Sequence, residues 1–359
     1  TGSLDVHGMA SLPQTLGHQL KFSANAEGRL EDSGKLLSTF HLEGEQLDLA
    51  GWADLLPDAW PAPESGHGTV QVSGALKGAE LLQLSAIVDV GQLTTELPVW
   101  ATPLPTGAPL VPPVAQDEPP KRAPKHPIEP YSVAEDPVAS EAEPAPPTPQ
   151  VLSYSRLAFA LRAQKTNDQW NLTLSDLDAT RSDSSWQAKQ IAARWSRNER
   201  GALEVSGGTD RLLLENIWPW LAYLPESEGL ARVRAMQASG ALSDVKFSFA
   251  RTASDAPLTY SVDANLDAVA FAPVARTAGL TGISGTLSAN EQAGQLRLAS
   301  KQIEFTLPRM FRDVLTASSA DGVVSWQRDD TGLIVSTDQL GVEGDDARAV
   351  ARVHLSLPS

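Results

Sequence analysis

The sequence predicts a mainly β protein: a long curled antiparallel sheet forming an elongated hydrophobic groove, with two short Trp-bearing helices and a disordered Pro-rich insertion. Three observations predict it. Apolar and polar residues alternate with period two over most of the chain, Gly, Asn, Asp and Ser clusters separate the alternating runs, and a strand–helix–strand pattern occurs twice. Such alternation marks strands with one apolar and one wet face.

In chain order, Leu49, Trp52, Leu55 and Leu56 recur at helical spacing and Pro57 ends the run, so a mini-helix is expected near 47–57. A polar stretch follows, then a strand containing Val72-Ser73-Gly74-Ala75-Leu76. Leu82, Leu84, Ala86, Val88 and Val90 form the next period-two run. From Pro98 to Gln150 there are 16 prolines in 53 residues. Proline cannot donate a ladder hydrogen bond and the segment has little to bury, so it is expected as a disordered or polyproline-like loop. This divides the chain into 1–97, 98–150 and 151–359, the outer two each a groove unit with one mini-helix.

Beyond the insertion, Leu157, Phe159, Leu161 and Ala163 alternate, as do Trp170, Leu172 and Leu174. Leu213 to Pro225 repeats the helical, Trp-bearing, Pro-ended pattern, and a polar stretch then leads to Ala238-Ser239-Gly240-Ala241-Leu242. Gly28-Arg29-Leu30 and Gly285-Thr286-Leu287 echo that strand start. Strands are further expected through Val245, Phe247 and Phe249, through Tyr260, Val262, Ala264 and Leu266, through Ile303, Phe305 and Leu307, and through Val353, Leu355 and Leu357. Turns are expected at 290–294, 328–332 and 343–346, and Gly207-Gly208 reads as a hairpin signal. The doubled unit suggests a stacked, elongated architecture.

Chemistry is sparse. A net charge of −16 and a pI near 4.8 argue against nucleic acid and against electrostatic docking on anionic lipid. The absence of cysteine excludes disulfides, thiolate metal sites and cysteine nucleophiles. His7, His18, His41, His67, His126 and His354 lack metal-ligand spacing, and Asp329-Asp330 and Asp345-Asp346 read as solvated turns. No nucleophile elbow, phosphate loop or dinucleotide fingerprint is present, and Asn171-Leu172-Thr173 is a sequon inside a strand pattern. No enzyme, metal or cofactor is expected. There is no apolar run of about 18 residues. The start at Thr1-Gly2-Ser3 and the end within a strand pattern suggest an excerpt of a longer protein.

The apolar face itself remains. In a closed sandwich two such faces cover each other; a long sheet without a partner leaves a trough. Sheltering a 16-carbon tail would be worth roughly 13 kcal/mol at ~0.8 kcal/mol per methylene. A structural or adhesive β-repeat protein with a self-packed core is the alternative, and a β-solenoid hydrolase a remote third.

Ala272 to Leu287 (Ala-Pro-Val-Ala-Arg-Thr-Ala-Gly-Leu-Thr-Gly-Ile-Ser-Gly-Thr-Leu), Gly294-Gln295-Leu296-Arg297-Leu298-Ala299-Ser300-Lys301, Phe305-Thr306-Leu307-Pro308-Arg309-Met310-Phe311-Arg312 and Gly322-Val323-Val324-Ser325-Trp326 together resemble the YhdP family. The resemblance covers 47–97 and 212–359. It implies membership of the AsmA-like group that includes TamB: large proteins of Gram-negative bacteria, anchored in the inner membrane and extending through the periplasm. Those look like bridge-like lipid transfer proteins with a twisted β groove. The Pro-rich insertion departs from the family core, and no catalytic residues carry over. The implied partners are phospholipids, the inner membrane through an anchor outside this segment, and outer-membrane or other envelope proteins.

On that reading acyl chains lie against Leu157, Phe159, Leu161, Leu172, Leu174, Val245, Phe247, Phe249, Val262, Leu266, Leu287, Leu296, Leu298, Phe305 and Val353. The Trp218-Pro219-Trp220 segment reads as a cap over the sheet, with a gate as the sharper alternative. About twenty strands stacked at ~4.8 Å would extend on the order of 90–100 Å.

Overall fold

A computed structural model describes residues 2–28, 35–56, 61–97, 150–198, 200–223, 227–274, 278–306, 314–330, 332–344 and 348–358. Eight strands occupy the first half: β1 (Gly2–Ser11), β2 (Gln19–Gly28), β3 (Leu37–Asp48), β4 (Pro63–Lys77), β5 (Glu80–Leu97), β6 (Gln150–Thr166), β7 (Gln169–Thr180) and β8 (Ser185–Arg197). Eight more follow: β9 (Leu203–Leu213), β10 (Ser239–Arg251), β11 (Thr259–Phe271), β12 (Gly279–Asn290), β13 (Ala293–Thr306), β14 (Leu315–Asp329), β15 (Gly332–Glu343) and β16 (Arg348–Pro358). They form one antiparallel meander in strict sequence order, and β1 and β16 are its two open edges rather than partners closing a barrel.

Among the described residues there are sixteen strands, where about twenty were expected for the chain, with single strands running to 18 residues; fifteen steps of ~4.8 Å span about 70 Å. β5 pairs directly with β6, from Gln83↔Gln164 to Leu97↔Gln150, so the sheet is continuous on either side of the insertion. Gln150 already belongs to β6; residues 98–149, where disorder was expected, lie outside the described residues.

A sequential meander gives the sheet two unlike margins. Links after even-numbered strands are mostly hairpins, such as 78–79, 167–168 and 291–292. Links after odd-numbered strands include the insertion and all the helices of more than one turn among the described residues. A 3-10 helix, Leu49–Leu55, joins β3 to β4. Between β9 and β10, an α turn at Leu214–Ile217 continues as a 3-10 helix, Trp218–Tyr223. The polar stretch after it contains an α-helix, Glu228–Ala235, whose cap Ser227 Oγ accepts from Leu230 N at 3.2 Å. Ser227 followed by the helix formers Leu230, Ala231 and Arg232 is the signal the sequence reading missed.

Along this second margin runs a seam of β-bulges. Gln46, Gln92, Asp176, Asp244, Ala268 and Gln302 all take positive φ between 49° and 54°. Each extra residue resets the alternation; in β3, Gly44 and Leu47 rather than Gly44 and Gln46 share a face.

Three glycine readings are corrected. Gly207 and Gly208 lie inside β9, opposite Phe247 and Lys246, and turn no hairpin. Gly28 ends β2 and Gly285 sits within β12 at φ +148°, so neither starts a strand. The two Ser-Gly-Ala-Leu segments are not equivalent: Ser73–Leu76 lies near the end of β4, whereas Ser239–Leu242 opens β10. Gly74 makes room for the Phe40 ring, and Gly240 takes φ +104°. What repeats is the helix-bearing link after β3 and after β9.

Candidate functional site

Residues paired across an antiparallel ladder share a face, so the register identifies that face strand by strand. One lateral row crosses all sixteen strands. From β1 to β8 it reads Val6, Ala24, Phe40, Gly74, Leu84, Ala163, Leu172 and Ala193. From β9 to β16 it continues Gly207, Phe247, Val262, Ala289, Gly294, Trp326, Val335 and Leu355. No member carries a charge or a hydroxyl.

The glycines in this row have a steric purpose. A Cβ at Gly74 would meet the Phe40 ring at 2.6 Å, one at Gly207 the Phe247 ring at 2.9 Å, and one at Gly294 the Trp326 ring at 2.1 Å. Gly8 and Phe22 repeat the arrangement at 2.6 Å in the neighbouring row. Each ring lies over a bare stretch of the next strand instead of standing up from the sheet. The detectable signal was a glycine inside a period-two run, which marks a close approach.

The fifteen residues expected on the apolar side do share one face. Leu161, Leu174, Ile191, Thr209 and Val245 form a second row, and Leu287 pairs Leu296 while Leu298 pairs Gly285 and Gly322. Thirteen of the fifteen are half-buried, Val245 is buried, and Val353 is 42% exposed. Val353 lies on β16, where no seventeenth strand flanks it among the described residues. The first three strands carry the same face through Leu4, Val6, Phe22 and Phe40, which the sequence reading did not single out.

Full burial concentrates on the helix-bearing margin. One cluster joins Leu97, Leu152, Tyr154, Leu177, Ala179 and Ala188, and Trp220 and Tyr223 pack against it. A second joins Val269, Ile283, Ile303, Ala317 and Ala320. Trp220 Nε1 donates to the Tyr154 hydroxyl at 3.2 Å. Burial pushes the Tyr154 pKa up, and the indole hydrogen bond opposes it. Asn216, fully buried, accepts from Ser184 Oγ at 3.0 Å and anchors the helical link to the β7–β8 turn.

A cavity of about 340 Å³ lies on the apolar side over β2–β5, between the Leu49–Leu55 helix and Trp220. The opposite face is polar: Ser206, Ser248, Ser261 and Asn290 form a row, with Ser248 and Ser261 hydroxyls 2.8 Å apart. Among the described residues no group of three or more His, Asp or Glu side chains is placed to hold a metal, and no helix is long and apolar enough to cross a membrane.

No curated protein and no solved structure matches the chain. Residues 141–359, more than half of it, match the family described as "YhdP protein". The matched region runs through β6–β16, including the whole of the second helical link and the last eleven positions of the apolar row. This chain belongs to the YhdP family.

Proposed function

We propose that this chain is a segment of a periplasmic bridge-like protein that binds phospholipid acyl chains and conducts them along its apolar face between inner and outer membrane. The observation that carries the reading is the sixteen-position row without a charge or hydroxyl, flanked by apolar side chains that are only half-buried. In a self-packed core these side chains would be covered by a second layer. A chain of methylenes laid across them recovers the missing burial at ~0.8 kcal/mol per group, while the headgroup stays in water. Rings lying over glycines lower the path where Phe40, Phe247 and Trp326 cross it. Nothing in this process requires a catalytic group. The partners on this reading are phospholipids, the inner membrane through an anchor outside this segment, and envelope proteins at the ends.

The test is native mass spectrometry and lipid extraction of the purified chain beside two variants. One carries Val262→Asp and Leu266→Asp on the apolar face, the other Ser261→Asp and Ser288→Asp on the polar face. Phospholipid should accompany the parent and the polar-face variant and be lost from the apolar-face variant, with circular dichroism unchanged in all three. A parent that stays lipid-free after incubation with phospholipid would favour the structural β-repeat alternative.

A further inference from the structure

We infer that the cavity between the two Trp-bearing helical links is an alkyl-end pocket: it takes the methyl end of an acyl chain and admits no headgroup or carboxylate. This rests on the proposed lipid-binding reading of the apolar face and adds a defined stopping place to it. The floor is built from Leu20, Leu42, Val70 and Val72, which the register places on the apolar face of β2–β4. Trp52 comes from the link after β3, and Trp220 arrives from the link after β9, far along the chain.

Among the described residues of these walls, every polar side-chain group is already occupied. Trp52 Nε1 donates to the Leu16 carbonyl at 2.8 Å, and Trp220 Nε1 donates to the Tyr154 hydroxyl at 3.2 Å. Thr95, the one hydroxyl among the described lining residues, donates to the Ala62 carbonyl at 2.9 Å. The indoles therefore present hydrocarbon rings and no free N–H. A phosphate, amine or carboxylate entering here would lose its water and gain no partner. A terminal run of methylenes loses nothing.

A water occupies about 30 Å³ and a methylene group about the same, so 340 Å³ corresponds to roughly eleven carbons of an acyl chain. The occupant would touch β2–β5 and the β9–β10 link at once, elements that lie far apart in sequence.

Photo-crosslinking of the purified chain with two palmitate probes tests this, one bearing a diazirine near the methyl end and one beside the carboxylate. Peptide mapping should place the methyl-end probe on the peptides of Trp52 and Trp220, about tenfold above the carboxyl-end probe. Leu42→Phe should fill the floor and remove that labelling while labelling of β10–β16 persists. Equal labelling of the Trp52 and Trp220 peptides by both probes, or labelling confined to β10–β16, would overturn the pocket and leave the lipid reading standing. No labelling by either probe anywhere on the chain would remove both. The comparison between probes needs no variant, so a folding defect in Leu42→Phe cannot mask the answer.

Discussion

The two margins of the sheet are built by different chemistry. On the hairpin margin the turns are capped by their own residues. Asn290 Oδ1 accepts from Gln292 N and Ala293 N at 2.9 and 2.7 Å, and Asn198 Oδ1 accepts from Arg200 N and Ala202 N at 3.0 Å each. On the helix-bearing margin four indoles make bonds that reach far along the chain. Trp52 reaches Leu16, Trp186 reaches Arg211, Trp218 reaches Ala238 and Trp220 reaches Tyr154. Reversing a strand needs only a side chain two or three residues away. Covering one end of an apolar face needs bulky groups delivered from elsewhere, and each must satisfy its own N–H on arrival. That is why the second margin carries the helices, the bulges and both buried clusters.

The comparison breaks first at Ile303, which is 2% exposed in the second cluster. Ile303→Ala should cost about 2–5 kcal/mol in chemical denaturation, while Leu355→Ala on the open edge should cost under about 1 kcal/mol. Similar losses at both would mean that burial is not concentrated on one margin. Between the margins, Gly207→Ala places a Cβ 2.2 Å from the Ala192 carbonyl oxygen and 2.9 Å from the Phe247 ring. Its expected cost is about 1–3 kcal/mol, read as a lowered melting temperature with Phe247 displaced. An unchanged melting temperature would show that the ring does not need the glycine.

On the hairpin margin, Asn290→Ala should cost about 1 kcal/mol, with faster amide exchange confined to the β12–β13 turn. Exchange spreading to β10 or β15 would show that the turn is not a local device. The smallest effect belongs to Glu80, whose carboxylate meets Lys165 Nζ at 2.5 Å. The hydrogen bond and charge of Lys165 hold the Glu80 pKa below its usual value. A depressed carboxylate stabilises the fold above its unfolded pKa and loses that contribution as pH falls through the folded value. Glu80→Gln should therefore melt slightly below the parent at neutral pH and together with it in acid, the gap shrinking with added salt because the pair is exposed. A gap that grows in acid would reverse the assignment.

Much of this was legible in the residues. Strands such as Leu157 to Ala163 and Tyr260 to Leu266 announce themselves by period two, and the turns at 290–294 and 328–332 by their Asn, Asp and Gly. Other features were hidden because their meaning depends on a partner strand. Gly207-Gly208 looks like a hairpin until Phe247 is seen across from it, and Ser-Gly-Ala-Leu looks like a repeat until its two copies fall at opposite ends of their strands. Of the bulge residues, Gln and Ala give no local warning of a positive φ, and Asp176 and Asp244 only a weak one. The Trp52–Trp220 cavity was invisible, since its walls lie far apart in sequence.

By itself, the sequence determined that the chain is a meander of strands with one apolar face, because alternation and turn propensity act over a few neighbouring residues. Only the tertiary structure decided that one row runs unbroken across sixteen strands, that its rings lie over glycines, and which margin is covered. Register and ring placement depend on side chains meeting across strands, and one residue's shift in pairing would send each apolar side chain to the wet face.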